Sequence, residues 1–294
     1  MDVVVIGATG TVGTAVVRAL RERGASVRVY VRDEGKARDR LGGAGDAPGA
    51  LEIVAGELDD VMRLQEALTS ADVGFLALGP TGEQGRLQAQ VIMAAARAKL
   101  PHLVRLAVLN TGRASLGINQ RAHAALDDVV ALSGLPCTSL RPALFATAVL
   151  ALAPQIRATG GWTGGSAHGR NALIDPDDVA AAAVTVLLDP AARGRPYDLT
   201  GPALLSWPDV ATLLSRELGV PVDFHAADDD ELRAVLRAEG IPQDAAEVFI
   251  AREHAMEAGE NERLTGDVER LSGSPPRPLS AYLREHRSAF LPSA

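Results

Sequence analysis

The sequence predicts an α/β protein: a doubly wound, Rossmann-type parallel sheet with a small, mostly helical C-terminal lobe. Three observations carry that reading. Short apolar runs alternate with helical-period segments through the first half of the chain. The first run ends in a glycine-rich turn that opens a helix. The alternation weakens after Pro142. Strand–helix alternation of this kind implies right-handed crossovers and a sheet covered on both faces.

The elements follow in order. Val3–Ile6 is the first strand, and Val12, Val16, Val17 and Leu20 fall at helical spacing behind it, closed by Gly24. Val27–Val31, Leu51–Ala55, Val73–Leu78, Leu103–Leu109 and Thr138–Leu140 are the next five strands. Leu87, Val91, Ala94, Ala95 and Ala98 mark one helix face between the fourth and fifth. Ala122, Leu126, Val129 and Val130 mark another between the fifth and sixth, which ends at Gly134 as a C′ glycine. Gly42–Gly49 reads as an exposed loop and Gly160–Gly169 as a glycine-rich loop near the site. Asp175 caps an alanine-rich helix with Pro176 at its first position. Tyr197–Thr200 is a late strand, and Ser206 to Asp209 opens a helix with a capping box that ends at Gly219. Asp228–Glu231 reads as a solvated first turn, and Pro275–Pro278 precedes a last short helix. The expected division is 1–150 for the sheet domain, with 170–200 returning to it, and 151–169 plus 201–294 for the lobe.

The most informative segment is Gly7-Ala8-Thr9-Gly10-Thr11-Val12-Gly13. Glycines between a strand and a helix let the backbone turn tightly and approach a pyrophosphate. The helix start then offers unpaired N–H groups and about half a positive charge to the phosphates. Gly7, Thr9, Gly10, Thr11, Val12 and Gly13 are therefore the expected dinucleotide cradle.

Composition narrows the alternatives. Of 294 residues, 47% are apolar and 22% charged, as in ordinary globular proteins. A net charge of −8 and only 3% aromatic residues argue against a nucleic-acid partner. The longest apolar stretch, Ala143–Ala153, is too short to span a bilayer, and the N-terminus is not a signal peptide, so the protein reads as cytoplasmic. Cys137, alone and in a strand, excludes an intrachain disulfide and a cysteine metal cluster, and reads as a structural thiol. His102, His225, His254 and His286 lack metal-ligand spacing, so no metal is expected. A homodimer is the base-rate oligomer.

Taken together, the chain resembles the NmrA-like branch of the atypical short-chain dehydrogenase/reductases. The resemblance rests on the glycine segment; Val31-Arg32 with Lys36-Ala37; Gly56-Glu57-Leu58; Ser133-Gly134-Leu135-Pro136; and Leu140-Arg141-Pro142 followed by Phe145. Asp178-Val179-Ala180, Leu199-Thr200-Gly201-Pro202 and Pro275–Phe290 extend it to nearly the whole length. It implies binding of NADP(H), or less favourably NAD(H). It also implies one of three activities: reduction of quinones or azo dyes, steps in natural-product pathways, or cofactor sensing without turnover.

Arg32 ends the second strand, where an arginine pairs with the 2′-phosphate of NADP and an acid would favour NAD. Asp33 beside it points the other way. The resemblance places Glu57 and Leu58 at the adenine, with Glu57 standing where the family has aspartate. Strand C-termini are where open α/β sheets bind ligands, so Leu78 and Gly79 should run beside the cofactor. By the same rule Asn110, Leu144 and Phe145 should lie near the nicotinamide.

The Tyr-x-x-x-Lys pair of typical short-chain dehydrogenases is absent: Tyr30, Tyr197 and Tyr282 have no lysine four residues on. The helix after the fifth strand carries His123 and Asp127 instead, four apart and on one face. Quinone-reductase-like members have a histidine and a glutamate at this spacing. An imidazole oriented by a carboxylate is a proton donor near neutral pH; a hydrogen-bonded surface pair is the other reading. His168 falls in the glycine-rich loop. Three functions follow from these residues. The first is an NADPH-dependent reductase passing hydride to a small apolar acceptor such as a quinone, enone or natural-product carbonyl. The others are an NADP(H)-sensing regulator, and an isomerase or cyclase with His123 as base. Fold alone does not choose among them.

Overall fold

A computed structural model describes residues 1–42, 47–79 and 82–291. The first half runs β1 (Asp2–Ile6), α1 (Thr11–Glu22), β2 (Ser26–Val31), α2 (Glu34–Leu41), β3 (Leu51–Ala55) and α3 (Val61–Leu68). It continues with β4 (Val73–Leu76), α4 (Gly82–Arg97), β5 (Leu103–Leu106), α5 (Ile118–Ser133) and β6 (Cys137–Pro142). Then come α6 (Thr147–Leu150), α7 (Ala153–Thr159), β7 (Gly161–Gly164), α8 (Pro176–Leu188), β8 (Tyr197–Leu199) and α9 (Trp207–Leu218). The chain closes with β9 (Asp223–Ala226), α10 (Asp229–Ala238), α11 (Gln243–Glu257), α12 (Asp267–Ser272) and α13 (Leu279–Glu285).

Seven strands form one parallel sheet in the order β3-β2-β1-β4-β5-β6-β8. β1 lies inside the sheet, with Val5 opposite Val29 on one side and Phe75 on the other. Val3 and Val5 pack with Val16, Leu20, Val179 and Ala183 of α1 and α8. Val4 and Ile6 face the opposite way, onto Leu64, Val91, Ile92 and Leu126 of α3, α4 and α5. Burial on both faces is why β1 reads as an unbroken apolar run instead of an alternating one.

The order reverses between β1 and β4, which opens a crevice at their C-terminal ends beside the glycine turn. β4 and β5 stop at Leu76 and Leu106, earlier than the apolar runs suggest. Their backbones remain tied beyond that: Ala77 N–H donates to Ile6 O (3.0 Å), Ala107 to Leu140 O (2.7 Å) and Leu109 to Pro142 O (2.8 Å).

The capping signals act as the sequence indicates. Asp175 accepts from Asp177 N–H, Ser206 and Asp209 exchange a capping box, and Asp228 accepts from Asp230 and Glu231. Gly134 and Gly219 end their helices in the left-handed region, at φ 68° and 77°. Of the Gly42–Gly49 loop, residues 43–46 lie outside the described residues.

Two expectations need correction. The glycine-rich stretch at 160–169 begins with a strand, β7, paired in parallel with β9 in a second, two-stranded sheet. Its glycines hid the strand, and Trp162 secures it: the indole is 4% exposed and meets Trp207 edge-on at 6.1 Å and Phe224 at 5.4 Å. The lobe core gathers these rings with Val149, Leu214, Tyr282 and Phe290. Second, the stretch 201–294 does not belong wholly to that lobe. α12 packs against α8 and β8, and Val268 and Leu271 join the core of the main sheet. Among the described residues no helix is long and apolar enough to cross a membrane.

Candidate active site

The cradle forms from backbone. Gly7 sits at φ +87°, and a Cβ there would lie 2.1 Å from Ala77 O. A Cβ on Gly13 would lie 2.1 Å from Gly7 O. Only glycine lets the β1 end, the β4 end and α1 approach so closely. Gly10 N–H closes the turn on Gly7 O (3.0 Å). The N-cap of α1 is Gly10, so no side chain caps the helix, and no acidic residue stands in the first turn. The first N–H groups of α1 are thus left for a ligand, and anionic phosphate meets no repulsion. These features fit a dinucleotide pyrophosphate.

Two cavities flank the turn and share Gly7, Gly10, Ala77 and Leu78. The first, about 540 Å³, is walled by Thr9, Arg32, Asp33, Lys36, Gly56, Glu57 and Leu58. Asp33 is occupied as the N-cap of α2, accepting from Lys36 N–H at 2.9 Å. Arg32 and Lys36 are the cationic side chains on this wall. Lys36 was not singled out as a binding residue by sequence; its position in the first turn after a capping aspartate was the available signal. Tyr30 forms the floor, its hydroxyl donating to Glu57 O at 2.8 Å.

The second cavity, about 380 Å³, is lined by Thr11, Val12, Gly13, Leu78, Gly79, His123, Leu144 and Phe145 among others. Gln88 of α4 holds its rim, donating to Leu78 O and Gly79 O at 3.2 Å each. Asn110 is the exception among the expected cofactor-binding residues, and Asp127, expected beside His123, also lines neither cavity. Asn110 occupies a left-handed turn at φ 58°, beyond the end of β5, and lines neither cavity. His168 lines neither cavity; it is exposed and held through its backbone N–H to Glu257 (3.0 Å).

His123 and Asp127 are brought together, but not by a bond to each other. Arg105 of β5 stands between them, fully buried. Its Nη1 donates to His123 Nδ1 at 3.1 Å and its Nη2 to Asp127 Oδ1. Nη1 also lies 3.4 Å from Gln88 Oε1, which joins the network to the cavity rim. The expected carboxylate-oriented imidazole is therefore corrected to an arginine-oriented one. A guanidinium only donates, so Nδ1 must accept and the ring proton sits on Nε2. Burial, reinforced by the Arg105 charge, lowers the His123 pKa to about 3. His123 is thus neutral at physiological pH, a hydrogen-bond donor and not an imidazolium acid.

Arg105 escaped the sequence reading because an arginine inside a strand resembles a solvated residue on an edge. Its neighbour Cys137 is half-buried and its thiol is pushed up to about 11, mainly by burial, which suits an inert thiol. Among the described residues no His, Cys, Asp and Glu cluster could hold a metal.

The NmrA-like family model matches residues 1–281. The chain is 32% identical over 291 residues to the (4-alkanoyl-5-oxo-2,5-dihydrofuran-3-yl)methyl phosphate reductase of Streptomyces griseus, covering 99% of both chains. It is 30% identical over 298 residues to the NAD(P)H azoreductase of Xenophilus azovorans, covering 98% of this chain and 99% of the relative. Among solved structures it is similar to the NADPH-dependent quinone oxidoreductase of Escherichia coli complexed with NADPH. There the TM-score is 0.87 at 21% identity, covering 97% of this chain and 99% of that one. On the match of the family model to nearly the whole sequence, this chain belongs to the NmrA-like family.

Proposed function

We propose that the protein is an NADPH-dependent reductase that passes hydride to a small, largely apolar acceptor in the cavity beneath Leu144 and Phe145. One observation carries this reading: a single cleft joins a phosphate cradle, a cationic wall and an apolar chamber containing one neutral imidazole. Relatives that span the whole chain are reductases, which favours turnover over cofactor sensing or isomerisation.

The α1 N-terminus would hold the pyrophosphate, and Arg32 with Lys36 the 2′-phosphate. Leu78 and Gly79 would flank the cofactor where it crosses from one cavity to the other. Bound there, the reduced nicotinamide supplies a hydride. His123 Nε2–H donates to the acceptor oxygen on which negative charge develops, and Arg105 fixes that tautomer. Oriented donors of this kind contribute about a hundredfold or more in rate. The imidazole keeps its own proton, and the reduced product takes one from solvent. Leu144 and Phe145 exclude water from the reacting face.

Consumption of NADPH and NADH with a quinone, an azo dye and an unsaturated lactone tests the reading. NADPH oxidation with at least one acceptor supports it. Tight NADPH binding with no oxidation by any of them removes it in favour of a sensor.

A further inference from the structure

A smaller cavity of about 70 Å³ adjoins the His123 chamber along Val108, Asn119, Ala143 and Leu144. Its remaining wall mixes Leu109, Ile118 and Val248 with the polar side chains of Gln120, Asn171, Arg252 and Asn261. Asn171 is 2% exposed and Asn261 6%. Asn171 Nδ2 and Asn261 Oδ1 are buried without a hydrogen-bond partner. Buried amide groups are almost always paired, so two orphans on one small cavity mark a missing partner.

The charge of Arg252 is already spent. Its Nε and Nη2 donate to Glu253 Oε1 at 3.2 and 2.8 Å, and its guanidinium lies 4.0 Å from the Phe249 ring centre. Glu253 is 1% exposed, so the one cation on this wall is already paired with a buried anion. A neutral occupant suits it better than a phosphate or carboxylate. One orphan donor and one orphan acceptor together match a group that both accepts and donates, and a hydroxyl is the smallest such group.

We propose that this pocket receives a hydroxyl or hydroxymethyl group of the acceptor, which accepts from Asn171 Nδ2 and donates to Asn261 Oδ1. The inference rests on the reductase reading for calling its ligand the acceptor, and on the two amides for its chemistry. The substrate class is then an electrophilic ring or chain bearing a neutral alcohol beside the reacting carbonyl system.

Isothermal titration calorimetry tests it with 2-(hydroxymethyl)-1,4-naphthoquinone and the near-isosteric 2-ethyl compound, with and without NADP+. The wild-type protein should bind the hydroxymethyl probe at least about tenfold more tightly. Asn261→Leu and Asn171→Ala should each cut that advantage to about twofold or less. Equal affinities in the wild type overturn the proposal without recourse to a variant. An advantage that survives both substitutions overturns it too, since the hydroxyl is then recognised outside this pocket. NADPH oxidation in the same samples reports separately on the reductase reading. Discrimination without oxidation keeps the pocket and removes that reading; oxidation without discrimination does the reverse.

Discussion

The two ends of the cleft are built by different means. At the phosphate end, one continuous segment, Gly7 to Gly13, makes the cradle from its own backbone. At the acceptor end, His123 comes from α5, Arg105 from β5, Gln88 from α4 and Leu144 from the loop after β6. The first end depends on what side chains are absent, and the second on how four distant ones meet. A backbone site is encoded locally and tolerates little change at its glycines. A side-chain network is encoded by the whole fold and fails when its central member is lost.

Substitutions at each end sharpen that contrast. Gly13→Val should have the largest effect, because its Cβ would lie 2.1 Å from Gly7 O and force the turn away from α1. NADPH affinity should fall by about a hundredfold or more, the scale of several lost phosphate hydrogen bonds. A fluorescence titration showing affinity within threefold would break the claim that backbone makes this end.

Arg105→Met tests the other end. It removes the partner of Asp127 and the donor to His123 Nδ1. Because a third of the Asp127 side chain reaches water and Arg141 Nη2 stands 3.6 Å from it, the loss should sit near the low end for a buried pair. We expect about 2–3 kcal/mol in urea unfolding, together with reduced turnover. An unchanged midpoint would show that Arg105 organises nothing.

Arg32→Ala should weaken NADPH by about tenfold, the value of one charge-assisted hydrogen bond, and leave NADH nearly unchanged. Equal weakening of both would take the 2′-phosphate from this wall.

A last effect is spread over pH and touches neither end of the cleft alone. Burial, assisted by Arg193 at His102 and Arg105 at His123, lowers these imidazoles to about 4 and about 3. The unfolded chain takes up protons on both below pH 6.5, whereas the folded chain does not. Stability is therefore full above that pH and declines as pH falls towards 4, by about 1.4 kcal/mol per unit for each histidine. His102→Gln should flatten this decline by about half in thermal melts between pH 6 and roughly 4.5. An unaltered slope would place the acid sensitivity elsewhere.

The same contrast explains what was legible in the sequence. The strands and the parallel character of the sheet follow from apolar runs and helix periods, which are local. The caps at Asp175 and Ser206 follow from side-chain chemistry within three residues. His123 was visible from its helix position, but its partner was not. Nothing in Leu103-Val104-Arg105-Leu106 reveals that the guanidinium turns inward to α5. Asn110 was misplaced because the apolar run continues three residues past the strand, into a turn. β7 was missed because two of its four residues are glycine and its partner lies sixty residues away. Asn171 and Asn261 look like ordinary polar loop residues until burial singles them out.

The central claim is that the cleft delivers hydride to an acceptor beside a neutral His123. The most direct measurement is single-turnover oxidation of NADPH by menadione, with cofactor deuterated at the transferred position, in the wild type and His123→Ala. The account predicts oxidation with a primary isotope effect, at least about tenfold slower in the variant at unchanged NADPH affinity. It also predicts a wild-type rate flat between pH 5.5 and 8, because an imidazole lowered to about 3 does not titrate there. NADPH that binds and stays reduced, or a rate indifferent to His123, would contradict it.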